Sequence, residues 1–150
     1  MEARNVLVPV SGHPSDAQAI EVASNLARSC KGKVHVLYVI EVPRSRPVDC
    51  ELSSEDINKG EDVLRVMEKR AKDCKCNVVG DLVQVRNAGP AVVEEAIQTG
   101  ADTIVVSMPF RPQFGVADLG NAVPYVLRNA PCKVIVLREP APTANGTLDW

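Results

Sequence analysis

The stretch NVLVPVSGHPS, residues 5–15, decides the fold of this chain. Its first part is apolar and rich in valine, which indicates a short buried strand, and the Ser-Gly-His-Pro-Ser that follows indicates a turn. From Asp16 to Cys30, small apolar residues recur at steps of three and four, as on a helix that packs one face against a sheet. Gly32 ends this helix, and Lys33 to Ile40 has the apolar character of a central strand. The amino-terminal forty or so residues therefore predict one βαβ unit.

The same alternation continues to the end of the chain. After a proline-containing loop over Glu41 to Leu52, the pattern predicts a helix from Ser53 or Ser54 to about Asp73, a strand Asn77–Val85, a helix Pro90–Thr99 stopped by Gly100, a strand Thr103–Ser107, a helix Val123–Ala130 and a strand Lys133–Arg138. Right-handed crossovers turn this order into an α/β fold, an open doubly wound five-stranded parallel sheet with helices on both faces. We expect residues 1–140 to form one domain and residues 141–150 a flexible tail.

Composition limits the class of function. Aromatic residues make up only 3% of the chain, so the core must be aliphatic, and a net charge of -2 gives no basic face for nucleic acid. No apolar run reaches the roughly 20 residues of a membrane span, which predicts a cytoplasmic protein. The five cysteines cannot all pair and are expected to be reduced, although a redox or metal site at Cys74 and Cys76 is an alternative.

In a doubly wound sheet, ligands bind beyond the carboxyl ends of the strands where the strand order reverses. The segments to search are therefore those that follow the predicted strands: Pro9–His13, Val39–Pro43, Arg86–Gly89 and Ser107–Asn121.

Three stretches carry a resemblance to a known family: residues 5–10, residues 100–106, and above all residues 120–138, which read GNAVPYVLRNAPCKVIVLR. With these stretches the chain resembles the universal stress protein family over essentially its whole length. The resemblance implies an adenine-nucleotide alpha-hydrolase-like fold and a homodimer joined through the last strand, Lys133 to Arg138. One branch of the family binds ATP or AMP.

The resemblance also indicates which positions would hold a nucleotide. In the binding branch an Asp follows the first strand, and a pattern of three glycines ends in Gly followed by Ser or Thr, because glycines let backbone amides approach phosphates. Here only Gly120 matches: Ser11 replaces the Asp, Ser107 and Phe110 replace two glycines, and Asn121 replaces the hydroxyl residue. The candidate binding positions are Pro9, Val10, Ser11, Val39, Ser107, Gly120, Asn121 and Ala122. Because the motif is degenerate, we predict no cofactor, with ATP or AMP held by altered contacts as the alternative.

The remaining polar residues do not suggest catalysis. His13 is expected to be a solvated turn histidine, His35 a packing or edge residue, and Asp16 a helix-cap or solvent-facing residue. No nucleophile motif, phosphate-binding lysine loop or metal-ligand pattern accompanies them. The prediction is therefore that the chain is not an enzyme, with a nucleotide hydrolase or a kinase that acts on itself as the alternative.

Two functional hypotheses stay open. The first is a regulatory or binding domain that works as a homodimer. The second is the sensor domain of an amino-acid transporter, at the cytosolic face of the membrane and with the transporter's membrane domain as its partner, because residues 42–52 resemble the corresponding stretch in stress-protein domains fused to permeases.

Overall fold

Helices and strands alternate along the chain as the sequence predicts. The computed structural model describes residues 1–42, 44–47, 49–51, 54–111 and 119–141. Its elements are β1 (Asn5–Val10), α1 (Asp16–Ser29), β2 (Lys33–Glu41), α2 (Ser54–Asp73), β3 (Asn77–Val85), α3 (Ala88–Thr99), β4 (Thr103–Met108), α4 (Val123–Asn129) and β5 (Lys133–Arg138).

The strands form one parallel sheet in the order β3-β2-β1-β4-β5. The chain therefore builds outward from β1 to β3, then crosses over to β4 on the other side of β1. This crossover is the point at which the strand order reverses, and it lies between β1 and β4. The predicted fold class is confirmed.

Two aliphatic layers, one on each face of the sheet, form the core. Side chains of β1 point alternately to the two faces, as a strand requires. Val6, Val8 and Val10 pack with α1 in one layer, while Leu7 packs with α3 and α4 in the other. Helices cover both faces, which explains why the central strands β1, β2 and β4 are mostly apolar instead of alternating with polar residues.

The start of α3 differs from the prediction. The helix begins at Ala88, two residues before the expected Pro90. A proline is tolerated there because the N–H groups of the first turn have no partner within the helix. The other end is as predicted: the helix stops at Gly100, whose φ of 68° places it in the left-handed region.

The predicted loop after β2 is held against β3. The Val42 amide donates to the Val85 carbonyl at 2.7 Å, and the side chain of Gln84 donates to the Cys50 carbonyl at 2.7 Å. The neighbouring Arg86 donates to the Arg46 carbonyl at 2.9 Å. Ser53 lies outside the described residues, as do 112–118 and the predicted tail from residue 142 onward.

All five cysteines carry free thiols in this structure. Burial raises the pKa of the Cys76 thiol and that of Cys132. A raised pKa leaves less thiolate at neutral pH, so these two thiols are poor nucleophiles.

Within the described ranges, no helix combines the length and the apolar character that crossing a bilayer requires.

Candidate functional site

The turn after β1 reaches the point where the strand order reverses. Gly12 there has a φ of 90°, a conformation that favours glycine. The chain then turns into α1, and the Asp16 amide donates to the His13 carbonyl at 3.0 Å. This geometry directs the Asp16 side chain back toward the end of β1.

Asp16 is the central group of this site. Its side-chain oxygen Oδ2 accepts hydrogen bonds from the amides of Gly12 at 2.8 Å and Ser11 at 3.2 Å. The Ser107 hydroxyl at the end of β4 donates to Oδ1 at 3.4 Å. Asp16 is only 2% exposed, so the prediction of a cap or solvent-facing residue is wrong. The carboxylate instead joins β1 to β4 across the reversal.

Burial raises the pKa of the Asp16 carboxyl to about 6, while the amides of Gly12 and Ser11, the nearby His13 and the Ser107 hydroxyl oppose that rise. At neutral pH most molecules therefore carry a buried negative charge here, and mild acid removes it.

A second ring of polar groups surrounds the carboxylate. The Ser15 hydroxyl donates to the Ser107 hydroxyl at 3.1 Å, and the Ser15 amide donates to Nδ1 of His13 at 3.1 Å. The same Nδ1 lies 3.4 Å from Oε1 of Glu139, just beyond β5. His13 is half-buried in this network. The prediction of a solvated turn histidine is therefore wrong.

The predicted binding positions fall into two groups. Ser11 and Ser107 meet at Asp16, and Val10 ends β1 on the same face as α1. On the other face, Val39 and Ala122 belong to one buried apolar layer. Pro9 is buried in β1, Gly120 is half-buried before α4, and Asn121 is exposed.

Phe110, the residue at one of the missing glycine positions, lies between two cations. The Arg111 and Arg138 guanidinium groups lie 5.3 Å and 5.0 Å from the centre of its ring, within the range of cation–π attraction. Arg138 ends β5, so the ring connects the start of the long connection to the last strand. Phe114, the other phenylalanine of this connection, lies outside the described residues.

Sequence reasoning missed Asp16 because its burial depends partly on Ser107, which is distant in the chain, and its bonds to Ser11 and Gly12 depend on how the turn after β1 closes. A cap-like Asp at the start of a helix is an ordinary pattern. The signal that could have revealed it is the absence of the expected Asp after β1, which leaves the amides of Ser11 and Gly12 in need of another acceptor.

Comparisons with known proteins agree with this architecture. The model of the universal stress protein family matches residues 2–138. Universal stress protein MJ0531 of Methanocaldococcus jannaschii is 25% identical over 142 residues, which cover 91% of this chain and 83% of that protein.

Solved structures share the fold. A universal stress protein from Archaeoglobus fulgidus in complex with dAMP superposes with a TM-score of 0.70 at 18% identity, covering 91% of this chain and 98% of that one. A family protein from Arabidopsis thaliana with AMP bound gives a TM-score of 0.60 at 18% identity, covering 91% and 92%. At such identities the likeness concerns the fold. The family match, which spans nearly all of the sheet and helices described above, shows that this chain belongs to the universal stress protein family.

Proposed function

We propose that this universal stress protein is a regulatory binding module that works as a homodimer. We further propose that it lacks the backbone contacts through which a nucleotide-binding domain holds the phosphates. The observation that carries the proposal is the buried Asp16 carboxylate at the strand-order reversal. It accepts from the amides of Ser11 and Gly12. Backbone amides at such a turn are the usual donors to a bound anion, and here an internal anion already uses them.

Charge adds to this competition. With a pKa of about 6, Asp16 is mostly ionised at neutral pH. At an effective dielectric constant near 20, two unit charges about 5 Å apart repel by about 3 kcal/mol. A triphosphate carries several negative charges, so its approach to this turn is strongly disfavoured.

Among the described residues, the carboxyl end of β4 has few groups that are free to bind a phosphate. Ser107 stands where the family pattern has a glycine, it is 4% exposed, and its hydroxyl is engaged with Asp16 and Ser15. Phe110 places an aromatic ring at the second such position, between two guanidinium groups. Both residues put side-chain atoms where close backbone approach would be needed.

A second candidate function is the binding of an adenine monophosphate by altered contacts. Arg111 and Arg138 favour it, because both guanidinium groups lie at the Phe110 ring, beyond the ends of β4 and β5, and could meet a single phosphate. Relatives with the same fold have been solved with dAMP and AMP.

Calorimetric titration of ATP and AMP at about pH 7.5 tests both candidates. Under the first, wild-type protein binds both with a Kd of about 1 mM or weaker. Asp16→Asn keeps an acceptor for the two amides but removes the charge, so its ATP affinity should rise at least about tenfold, equivalent to about 1.4 kcal/mol. Asp73→Asn, at the exposed end of α2, is the matched control and should change nothing.

Micromolar ATP binding by wild-type protein would contradict the first candidate, and so would an Asp16→Asn variant with unchanged affinity. Micromolar binding of AMP alone, weakened by Arg138→Ala, would establish the second candidate.

That the chain is not an enzyme, that it is cytoplasmic, and that a transporter's membrane domain is its partner all stay predictions.

A further inference from the structure

A second cluster of polar side chains lies on the sheet face that α3 covers, outside the Asp16 network. His35 lies in β2, Asp81 in β3 and Glu95 in α3. Leu37 pairs with Asp81 and His35 pairs with Val79, so His35 and Asp81 are diagonal neighbours on one face of the sheet. Because β2 lies between β1 and β3, His35 is not an edge residue.

The three side chains converge on one point. Nε2 of His35 lies 2.9 Å from Oδ2 of Asp81 and 3.6 Å from Oε1 of Glu95. One ligand atom from each residue lies within 4.8 Å of the other two. Zinc bonds of about 2.0–2.2 Å to nitrogen and oxygen in a tetrahedral site separate the ligand atoms by about 3.3 Å. The two distances from Nε2 bracket that separation.

Nε2 of His35 is buried and has no hydrogen-bond partner among the described residues. The Asp81 oxygen is close, but it lies off the direction in which the ring would donate, so the contact is not a hydrogen bond. The His35 side chain is 15% exposed, and Glu95 is 21% exposed. A buried ring nitrogen that lies close to two carboxylates without a hydrogen bond is unfavourable, and a cation bound among the three groups would relieve this.

We propose that His35, Asp81 and Glu95 bind a divalent transition-metal ion, with zinc as the best match. One imidazole and two carboxylates suit zinc or manganese, whereas magnesium and calcium prefer oxygen ligands alone. Asp81 is 56% exposed, which leaves an entry path and an open coordination position for water. The ion would tie the edge strand β3 to β2 and α3.

Calorimetric titration of metal-free protein with Zn²⁺ tests the site. We expect one equivalent to bind to the intact site. Glu95→Gln and Asp81→Asn should each weaken binding at least tenfold, since each removes a charged ligand. Glu94→Gln, on the neighbouring position of the same helix, and Asp73→Asn are matched controls that should bind zinc like wild type. Circular dichroism of each variant checks that it folds.

Two further readouts separate this site from the cysteines. Co²⁺ in place of Zn²⁺ should give visible bands without the near-ultraviolet charge-transfer band of a thiolate ligand. The chain has two histidines, so NMR resolves both imidazole rings. Zn²⁺ should shift the ring nitrogens of His35 and leave those of His13 unchanged. A thiolate band, an unchanged His35 signal, or zinc binding that survives both Glu95→Gln and Asp81→Asn would overturn the proposal.

Discussion

Asp16 combines three properties that a single residue seldom has: burial, acceptance of two backbone amides, and a hydrogen bond to a strand on the far side of the crossover. The two amides and the Ser107 hydroxyl stabilise the ionised form, whereas burial destabilises it, and burial dominates. Charge at this position therefore lowers the stability of the folded state near neutral pH.

The first stability prediction concerns Asp16→Asn. Burial raises the pKa of Asp16 in the folded state from an ordinary 3.8 to about 6. Below about pH 4 the carboxyl is protonated and costs the folded state no stability. As the pH rises through 6 the carboxyl ionises, and the free energy of unfolding falls. The variant does not titrate. Its free energy of unfolding relative to wild type should therefore grow by about 3 kcal/mol between pH 4 and pH 8.

Urea denaturation at several pH values measures this difference. Asp73→Asn should show a pH profile parallel to that of wild type, because its side chain is exposed. A difference between Asp16→Asn and wild type that stays constant with pH would show that the carboxyl titrates normally.

How far a residue's role can be predicted depends on how local its partners are. Ser11 and Ser107 were identified from sequence because Ser11 follows one predicted strand and Ser107 ends another, and a parallel sheet places ligand groups at these strand ends. Asp16 was not, because its role depends on the closed turn before it and on Ser107 of β4. The cluster of His35, Asp81 and Glu95 was not, because its members come from two strands and a helix. Spacing along the chain carries no trace of such contacts.

At the scale of elements, the prediction succeeded because the strands and helices carry strong periodicity. β3 and β5 have the predicted bounds, and α1 and α4 end one residue early. The larger error, at the start of α3, came from treating Pro90 as the first helical residue when it lies further into the first turn. The interval at which apolar residues recur determines whether a segment is a helix or a strand, while the positions of its ends depend on weaker local preferences.

The join between α1 and β2 depends on space at Gly32. A Cβ there would lie 2.5 Å from the Cα and carbonyl oxygen of Arg4, and 2.7 Å from the Ala3 oxygen. These are backbone atoms beside β1 and cannot rotate away. We expect Gly32→Ala to lower the free energy of unfolding by about 2–3 kcal/mol, measured by urea denaturation.

Gly100→Ala provides the comparison. Its Cβ would meet no atom closer than the Asn5 amide nitrogen at 3.9 Å, so only the φ of 68° opposes a side chain. We expect a smaller loss, about 1 kcal/mol. If Gly32→Ala and Gly100→Ala lost the same free energy of unfolding, the contact of Gly32 with the Arg4 backbone would not explain the loss at Gly32.

At the scale of the whole molecule, the two edges of the sheet differ. β3 carries Asp81 and Gln84, and the side chain of Gln84 holds it to the loop that follows β2. β5 is apolar from Val134 to Leu137, and these residues are only half-buried. Tyr125 and Leu127 on the adjoining α4 are exposed. An open apolar edge is a template for pairing with another strand, which is why we place the proposed homodimer interface at β5.

The hydrogen bonds of β5 identify the groups that such a dimer would use. The Lys133 amide donates to the carbonyl of Asp102, just before β4, at 3.3 Å, and the Glu139 amide donates to the carbonyl of Met108, the last residue of β4, at 2.9 Å. In a parallel ladder alternate residues repeat this pattern, so the amide of Val136 points away from β4. Val136→Pro removes that amide while leaving the bonds to β4 in place, since a proline is tolerated where an edge amide faces outward.

Analytical ultracentrifugation should show wild type as a dimer and Val136→Pro with a dimer Kd at least about tenfold weaker, a change of about 1.4 kcal/mol. Val136→Ala is the control: it loses packing but keeps the amide, so it should stay closer to wild type than the proline variant. A wild-type protein that stays monomeric at high concentration would refute the homodimer. A dimer that Val136→Pro leaves intact would place the interface elsewhere than on the outer edge of β5.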